Sequence, residues 1–270
     1  MRQQAEFDYA DLEHTVVELD LTGTEPAIEL APRRVPSSAA PDAVAKRRAE
    51  MHAVTEPWQT PPWFRYKGVR LWAKLAFDRV VAAVGLVACA PLFALLAVLV
   101  RLSGPGPILF RQWRIGRYGE PFQVLKFRTM CADSEERLRA DPRLWQRYVD
   151  NDYKLELDED PRVTRIGRFL RRSSLDELPQ LMNVVRGEMS MVGPRPVVFD
   201  ELELYGPWRD AYLAVVPGIT GRWQVEGRND IRFPERAELD ATYVNEWSFR
   251  YDVKIFLKTV PAVITNRGVK

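Results

Sequence analysis

The sequence predicts an α+β protein. A membrane-embedded, re-entrant helix-break-helix comes first, then a mostly helical cytoplasmic domain with short strands and interfacial amphipathic helices. Three observations lead there. Residues 80–100 carry no charge, are mostly Ala, Val and Leu, and hold Pro91 near their middle. Two short apolar runs flank a Gly116 to Gly119 turn and read as a strand pair. From residue 132 onward, apolar residues recur at helical spacing between charged ones.

The totals set bounds. A chain of 270 residues suits one large domain or two small ones. With 46% hydrophobic and 28% charged residues it can bury a core. A formal net charge of +2 gives no reason to expect nucleic acid as a partner. The two cysteines, Cys89 and Cys131, do not make a disulfide framework and fit a reducing compartment. Both histidines, His14 and His52, lie in the N-terminal stretch. This excludes a histidine zinc site or a Ser-His-Asp triad from the folded part, leaving acid–base work to carboxylates, Lys, Tyr or Cys.

Residues 1 to about 60 read as a disordered tail, acidic at Glu6, Asp8, Asp11 and Glu13, then rich in Pro, Ala and Ser. The tail lacks the apolar core of a secretion signal. Residues 61–270 are expected to form the folded domain, with the membrane helix at about 74–101 and the remainder at about 102–270. At its start, Trp58, Trp63, Phe64, Tyr66 and Trp72 alternate with Arg65, Lys67, Arg70 and Lys74. Rings mixed with cations suit a membrane–water interface, and also the aromatic core face of a soluble helix.

The charge-free run that follows has about the length needed to cross the hydrocarbon core. Lys74 and Arg79 precede it, and Arg101, Arg111 and Arg114 follow. Cations near membrane segments collect on the cytoplasmic side, so a true span would strand one cluster outside. A helix broken at Pro91 that dips in and returns keeps both clusters on one face, and is favoured over a span or a buried core helix. Lys74 and Asp78 form an i, i+4 pair at the mouth. They read as a helix-start ion pair, or as headgroup-level residues near a lipid phosphate.

Ser103-Gly104-Pro105-Gly106-Pro107 ends the helix. Residues 108–110 and 122–125 then read as strands. Lys126-Phe127-Arg128 closes the second with alternating cations, either an amphipathic edge or a phosphate clamp. Residues 132–149 read as a surface helix.

Ser174 and Glu177 have the spacing of a capping box. Leu178, Leu181, Met182 and Val185 share one helix face, and Gly187 supplies a stop. The expected helix covers 175–186. Asp176 and Glu177 fall in its first turn, where the positive helix end favours an ionised carboxylate. Such acids are ordinary in a first turn, but their surroundings are not. Arg162, Arg165, Arg168, Arg171 and Arg172 come just before, and Gly193-Pro194-Arg195-Pro196 just after. Acids ringed by arginines, beside a rigid Pro-Arg-Pro turn, suit phosphate chemistry. An ionised Asp can act as a nucleophile or hold a divalent metal. Beyond this, 197–216 reads as a helix, 217–221 as a loop and 223–225 as a short strand. The stretches at about 234–247 and 252–265 read as helices, the last with a face for the membrane interface or the core.

Taken together, these motifs from about residue 70 to 270 resemble the bacterial sugar transferases, the monotopic phosphoglycosyl transferases. The resemblance rests on Lys74 with Phe77-Asp78-Arg79, the Pro-broken apolar helix, Gly104-Pro105-Gly106-Pro107 and Phe110-Arg111-Gln112. It continues through Lys126-Phe127-Arg128-Thr129-Met130, the 174–180 run, 189–196, 217–221 and Gly227-Arg228-Asn229. It implies the compact form of the family behind a soluble tail, with homodimers within its range.

The resemblance further implies transfer of a sugar-1-phosphate from a nucleoside diphosphate sugar, a UDP-sugar by family expectation, to polyprenyl phosphate. The place would be the cytoplasmic face of the bacterial inner membrane, and the product would feed exopolysaccharide, O-antigen or glycoconjugate synthesis. Asp176 would be the nucleophile and the ligand of Mg²⁺, with Glu177 assisting. Lys126 and Arg128 would neutralise phosphate, Pro194 and Arg195 would contact phosphate or sugar, and Arg228 the nucleotide. Lys74, Asp78 and Arg79 would meet the lipid headgroup beside the Pro91 break. Two positions depart from the family pattern: Ala90 stands where many members carry Ser, and Arg222 where relatives carry an apolar or aromatic residue.

Overall fold

The computed structural model describes residues 69–150, 155–227 and 231–264. The N-terminal tail, the aromatic residues from Trp58 to Tyr66, and Arg228 with Asn229 lie outside the described residues.

Helix α1, Val69–Ala88, and helix α2, Ala90–Leu102, open the structure and are bent by 66°. Among the described residues no single helix is long and apolar enough to cross a membrane, but this bent pair passes that test together. The break falls at Cys89 rather than at Pro91. Proline is tolerated in a first helical turn, where its missing N–H would have no partner anyway, so Pro91 starts α2 instead of interrupting it. Phe77, Val80, Val84 and Val87 on α1, and Leu95 and Val98 on α2, are large apolar side chains left exposed. The inner faces are buried: Ala82 packs with Val124 and Val184, and Leu96 and Val100 pack with Phe127 and Leu170.

Strands β1, Leu109–Ile115, and β2, Pro121–Phe127, pair antiparallel from Leu109 opposite Phe127 to Ile115 opposite Pro121. The expected strand pair is present and longer than the apolar runs that announced it. The single helix expected at 132–149 is instead α3, Ser134–Ala140, and α4, Pro142–Asp150. Pro142 disfavours a helical conformation at Asp141, which is extended at φ −111 and ψ 102. Helix α5, Arg165–Arg172, starts at Thr164, whose Oγ1 accepts from the Gly167 N–H at 2.9 Å.

The helix expected at 175–186 is divided. A 3-10 turn, Leu175–Glu177, precedes α6, Gln180–Arg186. Pro179 has no N–H to offer the Leu175 carbonyl, which accepts from Leu178 instead at 3.3 Å. Nor does the capping box form. Ser174 adopts a left-handed conformation, φ 55, and its side chain caps nothing. Gly187 does end α6, at φ 82, as its position predicted.

Strands β3, Ser190–Val192, and β4, Gly218–Thr220, pair in parallel, so the expected loop at 217–221 supplies a strand. Between them, α7, Phe199–Glu203, a 3-10 turn at Gly206–Trp208 and α8, Arg209–Ala214, replace one helix at 197–216. Gly206, at φ 48, and Pro207 break it. The expected strand at 223–225 lies within α9, Arg222–Glu226. A three-residue apolar run does not separate strand from helix by periodicity. Helices α10, Glu235–Glu246, and α11, Phe249–Ile264, match the expected C-terminal pair.

Candidate active site

The site forms where β2, the 3-10 turn and β3 converge. Asn183 on α6 is fully buried and fixes the register of that meeting. Its Oδ1 accepts from the Leu125 N–H at 3.0 Å, and its Nδ2 donates to the Gln123 carbonyl at 2.7 Å. The neighbouring Lys126 therefore turns toward the acid pair, and its Nζ lies 2.7 Å from Glu177 Oε1. Arg195 approaches from the other side, Nη1 to Glu177 Oε1 at 3.8 Å. The Pro-Arg-Pro turn that carries it is held by β4: Gly218 N–H donates to the Pro194 carbonyl at 2.8 Å, and Gly193 N–H to the Thr220 carbonyl at 2.9 Å.

The two acids are thus unequal. Glu177 meets Lys126 and Arg195 and is hydrogen-bonded by Gln180. Burial works against its ionisation, yet Lys126 and Arg195 outweigh burial and hold the carboxyl below its ordinary range. Asp176 makes no hydrogen bond or ion pair among the described residues. Burial pushes its carboxyl up, and Lys126 opposes this only in part. The carboxyl rises to about 6, so Asp176 stays largely ionised at neutral pH, but the helix end is not what holds it there. Asp176 sits in a single 3-10 turn ahead of α6, so little helix dipole acts on it, and Lys126 has paired with its neighbour.

The arginine ring is thinner than its spacing predicts. Arg162 is buried against Asp160, Nε to Oδ1 at 2.8 Å and Nη2 to Oδ2 at 2.9 Å. Arg168 and Arg172 turn to Asp158, and Arg165 is exposed. Only Arg171 of the five faces the acids. Its Nε donates to Thr129 Oγ1 at 2.9 Å, and Asp176 supports its charge against burial. Spacing could not have picked it from its neighbours, because five arginines follow one another within two or three helical turns.

Two expected roles are corrected. Arg128 is buried and does not face the acids. Its guanidinium donates to the carbonyls of Val100 at 3.0 Å, Gly104 at 2.7 Å and Pro105, closing the end of α2. A Cβ on Gly106 would fall in the space of its Nη1. Lys74 and Asp78 are likewise buried, not presented to a headgroup. Lys74 Nζ lies 3.1 Å from Asp78 and 2.6 Å from Asp252, while Ser190 Oγ donates to Asp78 at 2.5 Å. A charge out of water needs such partners, and ion pairs inside the protein supply them. Arg79 is partly buried and its guanidinium lies against Gly187. Pro91 is exposed at the bend. Arg228 lies outside the described residues.

Among the described residues no group of three or more His, Cys, Asp or Glu side chains could hold a metal. Mg²⁺ often takes only one or two carboxylates and completes its shell with water and substrate phosphate. The unpartnered Asp176 carboxylate fits that mode.

A half-buried acid free of hydrogen bonds beside a charge-paired one, flanked by Lys126, Arg171 and Arg195, defines a class: an enzyme that moves a phosphate-bearing group. The comparisons carry this further. The sequence profile of the Bacterial sugar transferase family matches residues 69–266. The chain is 46% identical over 200 residues to the exopolysaccharide production protein ExoY of Sinorhizobium fredii, covering 73% of this chain and 87% of that one. It is 43% identical over 198 residues to the undecaprenyl-phosphate galactose phosphotransferase of Salmonella typhimurium, covering 72% and 41%. It is 40% identical over 211 residues to the UDP-glucose:undecaprenyl-phosphate glucose-1-phosphate transferase of Escherichia coli, covering 74% and 42%. The chain thus matches less than half the length of these two longer relatives. This protein belongs to the bacterial sugar transferase family and is a transferase of that type.

Proposed function

We propose that this enzyme transfers a sugar-1-phosphate from a nucleoside diphosphate sugar, a UDP-sugar, to polyprenyl phosphate through a covalent intermediate on Asp176. The observation that carries the assignment is the division of labour between the acids: Lys126 and Arg195 engage Glu177 and leave Asp176 without a partner. In the first step an Asp176 oxygen attacks the sugar-bearing phosphorus, the bond to the bridging oxygen breaks, and nucleoside monophosphate departs. In the second step an oxygen of polyprenyl phosphate attacks the same phosphorus and Asp176 leaves as carboxylate. Two easier displacements replace one difficult transfer.

Lys126, Arg171 and Arg195 bring positive charge to the place where phosphate oxygens gain charge. Glu177 orients Lys126 and Arg195. Pro194 stiffens the Arg195 turn, and Arg228 binds the nucleotide. Asp176 and the diphosphate would hold Mg²⁺, which when bound neutralises phosphate charge. Of Lys74, Asp78 and Arg79, only Arg79 is not fully buried and is left for the acceptor phosphate. The names of the relatives, two of which act with undecaprenyl phosphate and one in exopolysaccharide production, support the acceptor and the pathway class.

The bent α1–α2 pair is proposed to enter the inner membrane and return, with the catalytic part at the cytoplasmic face. Its exposed apolar side chains and its bend support this.

Asp176→Asn tests the nucleophile. An amide cannot form the acyl phosphate, so release of nucleoside monophosphate from the donor should stop while the donor still binds. Full turnover in this variant would end the assignment. Topology is tested by thiol labelling of Cys131 in a Cys89→Ser background. Labelling of intact cells by a membrane-impermeant reagent would refute the re-entrant arrangement.

A further inference from the structure

A second site lies outside the acid pair. A cavity of about 340 Å³ is bounded by α9, the end of α10 and α11. Arg222, Lys254 and Lys258 supply three positive charges to its wall, and Glu226 and Glu246 supply two negative ones. The cavity is therefore polar and has a small excess of positive charge.

The Arg222 guanidinium is incompletely satisfied. Its Nε meets Glu226 only at 3.4 Å, and its Nη1 is buried without a hydrogen-bond partner. A buried N–H left unpaired costs free energy that a bound acceptor would recover. Lys254 and Lys258 stand one helical turn apart on α11, are exposed, and make no ion pair among the described residues. An Arg222 Nη1 with no acceptor and two lysines outside any ion pair leave donors that a phosphate would satisfy.

The next face of the same helix identifies what carries that phosphate. Phe249, Val253, Phe256 and Leu257 follow one another at i, i+4, i+7 and i+8, and all are exposed. Phe249 meets Phe77 of α1 edge-on, with ring centroids 5.0 Å apart. The apolar stripe of α11 thus joins the exposed apolar face of α1. A ligand seated here would place its head among cations and its tail along apolar side chains, the arrangement of a lipid at an interface. Glu226 and Glu246 would repel a polyanion but accept from headgroup hydroxyls.

We propose that the α9–α11 cavity binds the singly charged phosphodiester headgroup of a bilayer phospholipid, with its acyl chains along the α11 stripe. The site is separate from the transfer reaction and does not depend on the Asp176 assignment. Its occupancy would fix the angle at which the domain meets the bilayer.

The test uses the full chain carrying Asp176→Asn, in detergent, so that turnover plays no part. Three probes are titrated by native mass spectrometry: dihexanoyl phosphatidylglycerol, dihexanoylglycerol and inorganic phosphate. One saturable phosphatidylglycerol molecule is expected, with neither other probe binding at the same concentration. Lys254→Glu with Lys258→Glu should weaken binding about tenfold or more, since each surface cation contributes roughly a fivefold factor. Arg222→Gln provides a second variant should the double reversal disturb folding, and it should also weaken binding. Equal binding of dihexanoylglycerol, or unchanged phosphatidylglycerol binding in both variants, would overturn the proposal. Inorganic phosphate binding as tightly as the lipid would overturn it too, by making the cavity a free-ion site.

Discussion

Lys74 Nζ and Asp252 Oδ2 lie 2.6 Å apart, joining the first helix of the bent pair to the C-terminal helix α11. Asp78 completes a buried charge triad, and Tyr243 and Trp247 donate to Asp252 at 2.7 and 3.1 Å. Ser190 and the Met191 N–H bind Asp78, so the triad also grips β3, which leads directly into the turn carrying Arg195. The bent helix pair and the turn that carries Arg195 therefore share one buried support.

Removing Lys74 should loosen that support. Lys74→Met leaves Asp78 and Asp252 buried without their cation, a change that typically costs about 3–5 kcal/mol. Burial raises the Asp252 carboxyl, and Lys74 is the largest influence drawing it back. A clear fall in the thermal unfolding midpoint in detergent is expected. An unchanged midpoint would show that the triad contributes little.

Asp240 should impose a pH dependence on stability. It is almost fully buried, accepts from the Tyr205 hydroxyl at 2.8 Å, and its Oδ1 has no partner among the described residues. Burial pushes its carboxyl up from 3.8 to about 7, although Tyr205 and Arg236 pull the other way. The folded chain therefore keeps a proton that the unfolded chain releases. The stabilisation is fully present below about pH 4 and is lost as pH rises through about 7. Asp240→Asn stays neutral and can still accept from Tyr205, so it should remove this slope. Unfolding midpoints of both proteins between pH 4 and 8 check the sign.

Arg128 should behave as a structural brace rather than a phosphate ligand. Its guanidinium reaches carbonyls at Val100, Gly104 and Pro105 in different directions, which a single ammonium cannot do. Arg128→Lys is therefore expected to destabilise by about 1–3 kcal/mol and to increase proteolysis at 103–108. The KM for the donor should stay within about twofold, well inside the tenfold that corresponds to 1.4 kcal/mol. Gly106→Ala should reproduce the defect, because its Cβ would enter the space of the guanidinium. A large rise in KM with unchanged proteolysis would return Arg128 to the phosphate site.

What local chemistry encodes was legible. A charge-free run with a proline near its middle announced the bent helix pair, apolar faces announced α10 and α11, and a glycine-bounded turn announced the β1–β2 pair. The i, i+4 spacing of Lys74 and Asp78 and the stop at Gly187 also held. Prolines were the main source of local error. Pro142 and Pro179 divide helices that were read as continuous, since an overall helical pattern does not report whether each carbonyl finds an N–H.

The sequence by itself determined which residue types gather near Asp176 and that a charge-free segment precedes them. Only the tertiary structure decided which cation meets which acid. Lys126 and Glu177 stand 51 residues apart, and Asn183 must first set the β2 register before one can reach the other. Arg128 and Arg171 carry the same guanidinium, yet one closes a helix end and the other faces the acids. Charge is written residue by residue, but its partner depends on distance through the fold.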